Sequence, residues 1–166
     1  MPFAVVTEFH PQHRAVLSDI VSFTALTAQL DGLRRSDNLF FAVRIDGHFV
    51  EMHTRVACKA ESGVHLDAAT AHQAEFRMTD VTGTLMGFWS PLYSRAISVA
   101  GWHLHFLTDD RLRGGHVLGC SAATLTAQVQ DIDDLHLALP ETREFLHADL
   151  TQDPTAALDR AERARD

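Results

Sequence analysis

Two histidines, His103 and His105, stand one residue apart in the run Gly101-Trp-His-Leu-His-Phe106. A third, His116, follows the glycine pair Gly114-Gly115. On a β-strand, residues two apart project to the same face. A Gly-Gly turn then brings the third imidazole back towards the first two. Three neutral imidazoles with an open fourth position make a catalytic zinc site rather than a structural one. Copper, nickel and iron also accept imidazole, and zinc is the default where no redox chemistry is involved. The competing arrangement is iron held by two histidines and one carboxylate, Asp109 or Asp110. Those two aspartates read more naturally as the start of an Asp-Asp-Arg turn.

The chain holds 11 His, so a His-x-His pair arises easily by chance. Its bland alternative is two exposed histidines on an edge strand. Context favours the metal: Trp102, Leu104 and Phe106 give the other strand face to apolar packing, leaving imidazole alone on this one. Gly114-Gly115 permits a tight backbone approach.

Cations and acids could complete a site. Arg44 lies inside the apolar run Phe-Phe-Ala-Val-Arg-Ile, where a buried guanidinium demands an anionic partner. That makes it a structural ion pair or a substrate clamp. Arg55, in His-Thr-Arg-Val, is the second candidate for holding a carboxylate. On sequence alone Glu162 is a solvated helix residue. Cys120 is a thiol near the metal or, more ordinarily, a buried apolar residue. No P-loop, GxGxxG, GxSxG or HExxH occurs, which removes several common enzyme classes.

At 166 residues, the chain is long enough for one domain spanning 1–166 with its own core. A formal net charge of -8 argues against nucleic acid or an anionic membrane as partner. It leaves room for a small anionic substrate, with self-association into a homodimer left open. The two cysteines, Cys58 and Cys120, form no CxxC, so the default compartment is a reducing cytoplasm. No apolar run approaches the roughly 20 residues of a membrane span. Strand-like sequence starts at residue 3 with no lead-in, which predicts further sequence upstream.

Elements must position these residues. The pattern predicts a strand over 3–9 and a helix over 14–33 carrying Val16, Leu17, Ile20, Phe23, Leu26 and Leu30, stopped at Gly32. Strands follow at 39–45 and 48–56, joined by an Asp46-Gly47 hairpin, with Phe49 and Glu51 on one face and Val50, Met52 and Thr54 on the other. A short helix falls in 63–74. Strands are expected at 75–78, 83–89, 97–99, 103–107, 115–118, 124–132 and 135–139, with a loop at Pro91-Leu-Tyr. Helices close the chain at 141–148 and 154–165. The fold class is α+β: a mixed, largely antiparallel β-sheet with flanking helices.

Taken together, several motifs carry a resemblance. They are Asn38-Leu-Phe-Phe-Ala-Val-Arg-Ile-Asp-Gly-His-Phe49, Thr54-Arg55, Gly83-Thr-Leu-Met-Gly-Phe88 with Pro91 and Tyr93, Gly101-Trp-His-Leu-His-Phe, Asp110-Arg111 and Gly114-Gly-His-Val. With Pro2-Phe-Ala and Leu139-Pro140, they resemble the α-acetolactate decarboxylase family in order and spacing across most of the chain. The resemblance implies a zinc lyase that converts 2-acetolactate, a 2-hydroxy-3-oxo acid, to acetoin and CO2. It implies His103, His105 and His116 as metal ligands, Arg55 as the active-site arginine and Glu162 as an acid reaching the site. The family also carries an N-terminal segment with a Leu-Asp-Gly-Glu motif whose Glu joins the site. This sequence corresponds to the family's central and C-terminal part. The expectations are therefore a decarboxylase, a zinc-binding relative without turnover, or a cupin-like iron enzyme.

Overall fold

A computed structural model describes residues 4–57, 73–149 and 151. Long runs of β-branched and aromatic residues dictate its architecture, because such side chains pack well on a pleated surface. The elements are β1 (His13–Ile20), α1 (Phe23–Asp31), β2 (Phe40–Ala57), β3 (Gln73–Ser90), β4 (Gly101–Thr108), β5 (Gly114–Ile132) and α2 (Arg143–Leu146), with a 3-10 turn at Leu92–Ser94. The strands lie in the order β1-β5-β2-β3-β4, and β5 also pairs with β4. The ring β2, β3, β4, β5 therefore closes on itself at one end. Every pairing among the described residues is antiparallel. The expected antiparallel sheet is present, whereas the mixed character is absent from these residues and the flanking helices reduce to α1 and one short turn.

Where the structure differs from expectation, a local cause is visible. No hairpin forms at Asp46-Gly47: β2 runs through it unbroken for 18 residues. Gly47 serves close packing instead, since a Cβ there would lie 2.7 Å from Leu125 Cδ2. The two strands expected at 75–78 and 83–89 are one strand, β3, and those at 115–118 and 124–132 are one strand, β5. The first half of the expected 14–33 helix is β1. Asp19 takes a φ of 56°, which returns Ile20 to the buried side three positions after Leu17 and so imitates helical spacing. The second half is α1, capped by Ser22 and ended at Gly32. A similar kink falls at Asp80, φ 55°, near the point where burial on β2 passes from Phe49 to Met52. Phe49 is thus buried and Glu51 exposed, so they do not share an environment.

Residues 4–9 form no strand; the chain passes alongside the sheet, and the His10 amide bonds to the Gln130 side chain. Residues 97–99 and 135–139 are also outside any strand, and the expected 141–148 helix is only α2. The helices expected at 63–74 and 154–165 fall largely or wholly outside the described residues.

One core cluster joins Leu26 and Leu30 of α1 to Phe41, Ile45 and Phe49 of β2, Leu85 of β3 and Leu104 and Phe106 of β4. Phe49 and Phe106 meet edge-on at 5.3 Å, a contact worth about 0.5–1.5 kcal/mol beyond its buried area. Because Leu104 and Phe106 are drawn inward, His103 and His105 are turned to the opposite face of β4.

Candidate metal centre

The turn after β4 sets the third histidine. Thr108 N donates to Arg113 O at 2.9 Å, and the Asp110 carboxylate accepts from Thr108 Oγ1 and from Leu112 N. Arg111 adopts a φ of 59°. This closes a tight reversal, and β5 returns with His105 opposite His116 and Leu107 opposite Gly114. Gly115 has a φ of 150°, and a Cβ there would sit 2.5 Å from the carbonyl oxygen of Arg55. Only glycine lets β5 pass between β4 and β2 at this point. Next to it, Arg55 pairs directly with His116.

The three imidazoles consequently converge. Their ligand atoms lie within 4.8 Å of one another, and they are the metal-capable cluster found among the described residues. The Nε2 atoms of His103 and His105 are 3.2 Å apart. Zinc–nitrogen bonds of about 2.0–2.1 Å in a tetrahedron require neighbouring nitrogens roughly 3.4 Å apart. That pair is spaced for one ion. Burial, and after it the nearby Arg55 cation, hold His103 below the ordinary histidine range. A ring that resists protonation is a neutral donor, as metal ligation requires. The residues present therefore fit a metal ion.

The other sequence candidates are placed as follows. Arg55 is buried, with 6% of its surface exposed. Arg44 is not buried: it is exposed and paired with Asp46, its Nε at 2.9 Å from Oδ2 and Nη2 at 3.0 Å from Oδ1. Strand alternation sends it to the open face, so the structural ion pair is the alternative that the structure shows. Burial pushes the Asp46 carboxyl up, but hydrogen bonds from Arg44 and Thr84 outweigh it and hold the group below the usual carboxylate range. Asp110 is consumed in the turn, and neither it nor Asp109 joins the imidazoles, so the iron triad lacks its carboxylate among the described residues. Cys120 packs in the core, and burial pushes its thiol up to about 12. Glu162 lies outside the described residues.

A groove of about 690 Å³ opens beside the cluster, lined by His103, His105, Met86, Phe88, Arg44 and residues 4–7. His116 and Arg55 are not among the residues that line it; they follow His105 along the cross-strand row, His116 on β5 and Arg55 on β2. Sequence reasoning missed the support at the start of β4. There Trp102 Nε1 donates to Asp31 Oδ1 at 2.8 Å, while the Arg34 guanidinium lies 3.5 Å over the Trp89 ring. The Trp89 and Trp102 rings are 5.7 Å apart. Only the position of Trp102 beside His103 hinted at this anchor.

Residues 1–152 match the sequence model of the family Alpha-acetolactate decarboxylase. The chain belongs to the alpha-acetolactate decarboxylase family. Among curated members of that family, the alpha-acetolactate decarboxylase of Raoultella terrigena is 39% identical over 161 residues, covering 96% of this chain and 62% of the relative. The Brevibacillus brevis alpha-acetolactate decarboxylase is 36% identical over 165 residues, covering 99% of this chain and 58% of the relative. A crystal structure of alpha-acetolactate decarboxylase from Bacillus subtilis strain 168 superposes with a TM-score of 0.90 at 31% identity, covering 95% of this chain and 68% of that one. The chain thus spans about three fifths of the length of these curated decarboxylases.

Proposed function

We propose that this chain forms the metal-binding part of an acetolactate decarboxylase, a carbon–carbon lyase that turns 2-acetolactate into acetoin and CO2. The observation that carries the proposal is the convergence of His103, His105 and His116 one strand from the buried Arg55. In this reading residues 1–166 act as a single catalytic domain, zinc is the resident metal, and the protein works in the cytoplasm, alone or as a homodimer.

The substrate carries a carboxylate, a tertiary hydroxyl and a ketone. His103, His105 and His116 would hold zinc, which supplies Lewis acidity for charge developing on the ketone oxygen. Arg55 orients the departing carboxylate. Its burial favours this task, because a guanidinium in low dielectric attracts an anion strongly. As CO2 leaves, the electron pair passes towards the ketone oxygen, and the vacated carbon must gain a proton. A carboxylic acid on one face delivers it and so fixes the hand of acetoin. Glu162 is assigned that role within this chain.

The test is the zinc-loaded protein with acetolactate, with acetoin and bound zinc both measured. His105→Ala is expected to abolish both. Survival of both would overturn the assignment. Stoichiometric zinc in the unaltered chain without acetoin would favour a metal-binding relative that lacks turnover. Stoichiometric iron with an oxygen-dependent activity would favour the cupin-like alternative.

A further inference from the structure

Antiparallel partners project side by side from the same face of a sheet, their Cβ atoms about 4.5–5.5 Å apart. On β3, Met86 is the partner of His105 and Phe88 the partner of His103. Both line the groove beside the imidazoles. Met86 is 45% exposed although its neighbour along the strand, Leu85, is fully buried. Its thioether therefore faces the open groove and not the core. On its far side the partner of Met86 is Arg44, whose charge is already taken by Asp46. Within this row, then, the side chain next to the metal-facing imidazole is apolar and flexible, and the cation beyond it is held by Asp46.

We propose that Met86 is a specificity-determining residue that sets the size of the alkyl group a substrate carries at C2. The proposal rests on the decarboxylase reading, and it names the substrate feature which that reading leaves open. A 2-hydroxy-3-oxo acid held at the imidazoles by its oxygens directs its carboxylate towards one side and its C2 alkyl group towards another. The carboxylate belongs with Arg55, across His116 from His105. The alkyl group then falls on the opposite side of His105, over Met86. A methionine there accepts more than one chain length because its unbranched side chain changes shape at little cost. Apolar pockets discriminate single methylenes by roughly 10–200-fold at most.

The experiment compares zinc-loaded wild type, Met86→Ala, Met86→Phe and the volume-conserving Met86→Leu on 2-methyl and 2-ethyl 2-hydroxy-3-oxobutanoates. The quantity read is the ethyl-to-methyl ratio of kcat/KM, with zinc content measured in parallel. Met86→Ala is expected to raise the ratio about tenfold and Met86→Phe to lower it about tenfold, with Met86→Leu within about twofold and zinc retained throughout. A ratio that stays within twofold in both the Ala and the Phe variant overturns the proposal. So does loss of zinc in both, which would make Met86 a support for His105. If the wild type turns over neither substrate, the decarboxylase reading fails by itself. Binding of the unreactive 2-methyl and 2-ethyl 2,3-dihydroxybutanoates, followed by calorimetry, then decides: the same shifts in the ratio of Kd uphold the role of Met86, and unshifted ratios or absent binding overturn it.

Discussion

His105 and Arg44 flank Met86 on one cross-strand row, yet the two ends of that row differ in chemistry. At the Arg44 end, charge is answered on the spot: the guanidinium grips Asp46, and Thr84 donates a further hydrogen bond to the same carboxylate at 2.6 Å. At the His105 end, metal-ligating groups converge on one another, two imidazole nitrogens 3.2 Å apart. The first arrangement pairs opposite charges; the second gathers three groups that could hold one metal ion. Convergence of like ligand groups, rather than polarity or charge as such, is what separates a site from a surface ion pair.

The comparison breaks most visibly at Gly115. Gly115→Ala forces a Cβ against the Arg55 carbonyl and asks alanine to adopt an unfavourable φ. The expected cost is about 3 kcal/mol, read from denaturant midpoints, with zinc binding lost as His116 is displaced. An equally stable, zinc-binding variant would show that the close passage of β5 does not set the cluster.

A smaller effect separates the two ends by pH. The folded chain keeps His103 below its ordinary value of 6.5. Below that pH the unfolded chain takes a proton that the folded chain resists, so stability falls as the pH drops from about 6.5 towards the folded value. Asp46 behaves differently: its folded pKa is depressed below 3.8, so its contribution persists above that pH and is lost only as the pH falls through the lower folded value. In metal-stripped protein, the melting temperature is expected to begin falling near pH 6.5, and His103→Gln is expected to flatten that first decline. A decline unchanged by the substitution would assign it to other groups.

Arg44→Ala should do least. An exposed ion pair contributes about 1 kcal/mol or less, so Tm should drop by at most a few degrees and zinc content should not change. Loss of zinc would mean that the two ends of the row are coupled.

The site was more legible than the sheet that holds it. His103, His105 and His116 announce themselves through spacing, because strand alternation is a local rule; the reversal itself falls at residues 109–113, and the expected Gly-Gly turn is instead the start of β5. The fate of Arg44 was hidden: an apolar flank suggested burial, while strand alternation delivered exposure. The sheet misled for physical reasons. Asp46-Gly47 has hairpin composition but serves a packing contact with Leu125, a partner 78 positions away. Val16, Leu17 and Ile20 imitate a helix because Asp19 kinks the strand. Tertiary contacts of that kind leave no trace in a local window.

The β4–β5 turn has a kinetic consequence. All three imidazoles lie between residues 103 and 116, inside one hairpin, and hairpins close in about 1–10 μs. Arg55 reaches His116 only through a pairing that spans 61 positions, and long-range pairing is slow. During folding, the ligand set can therefore assemble before the arginine arrives.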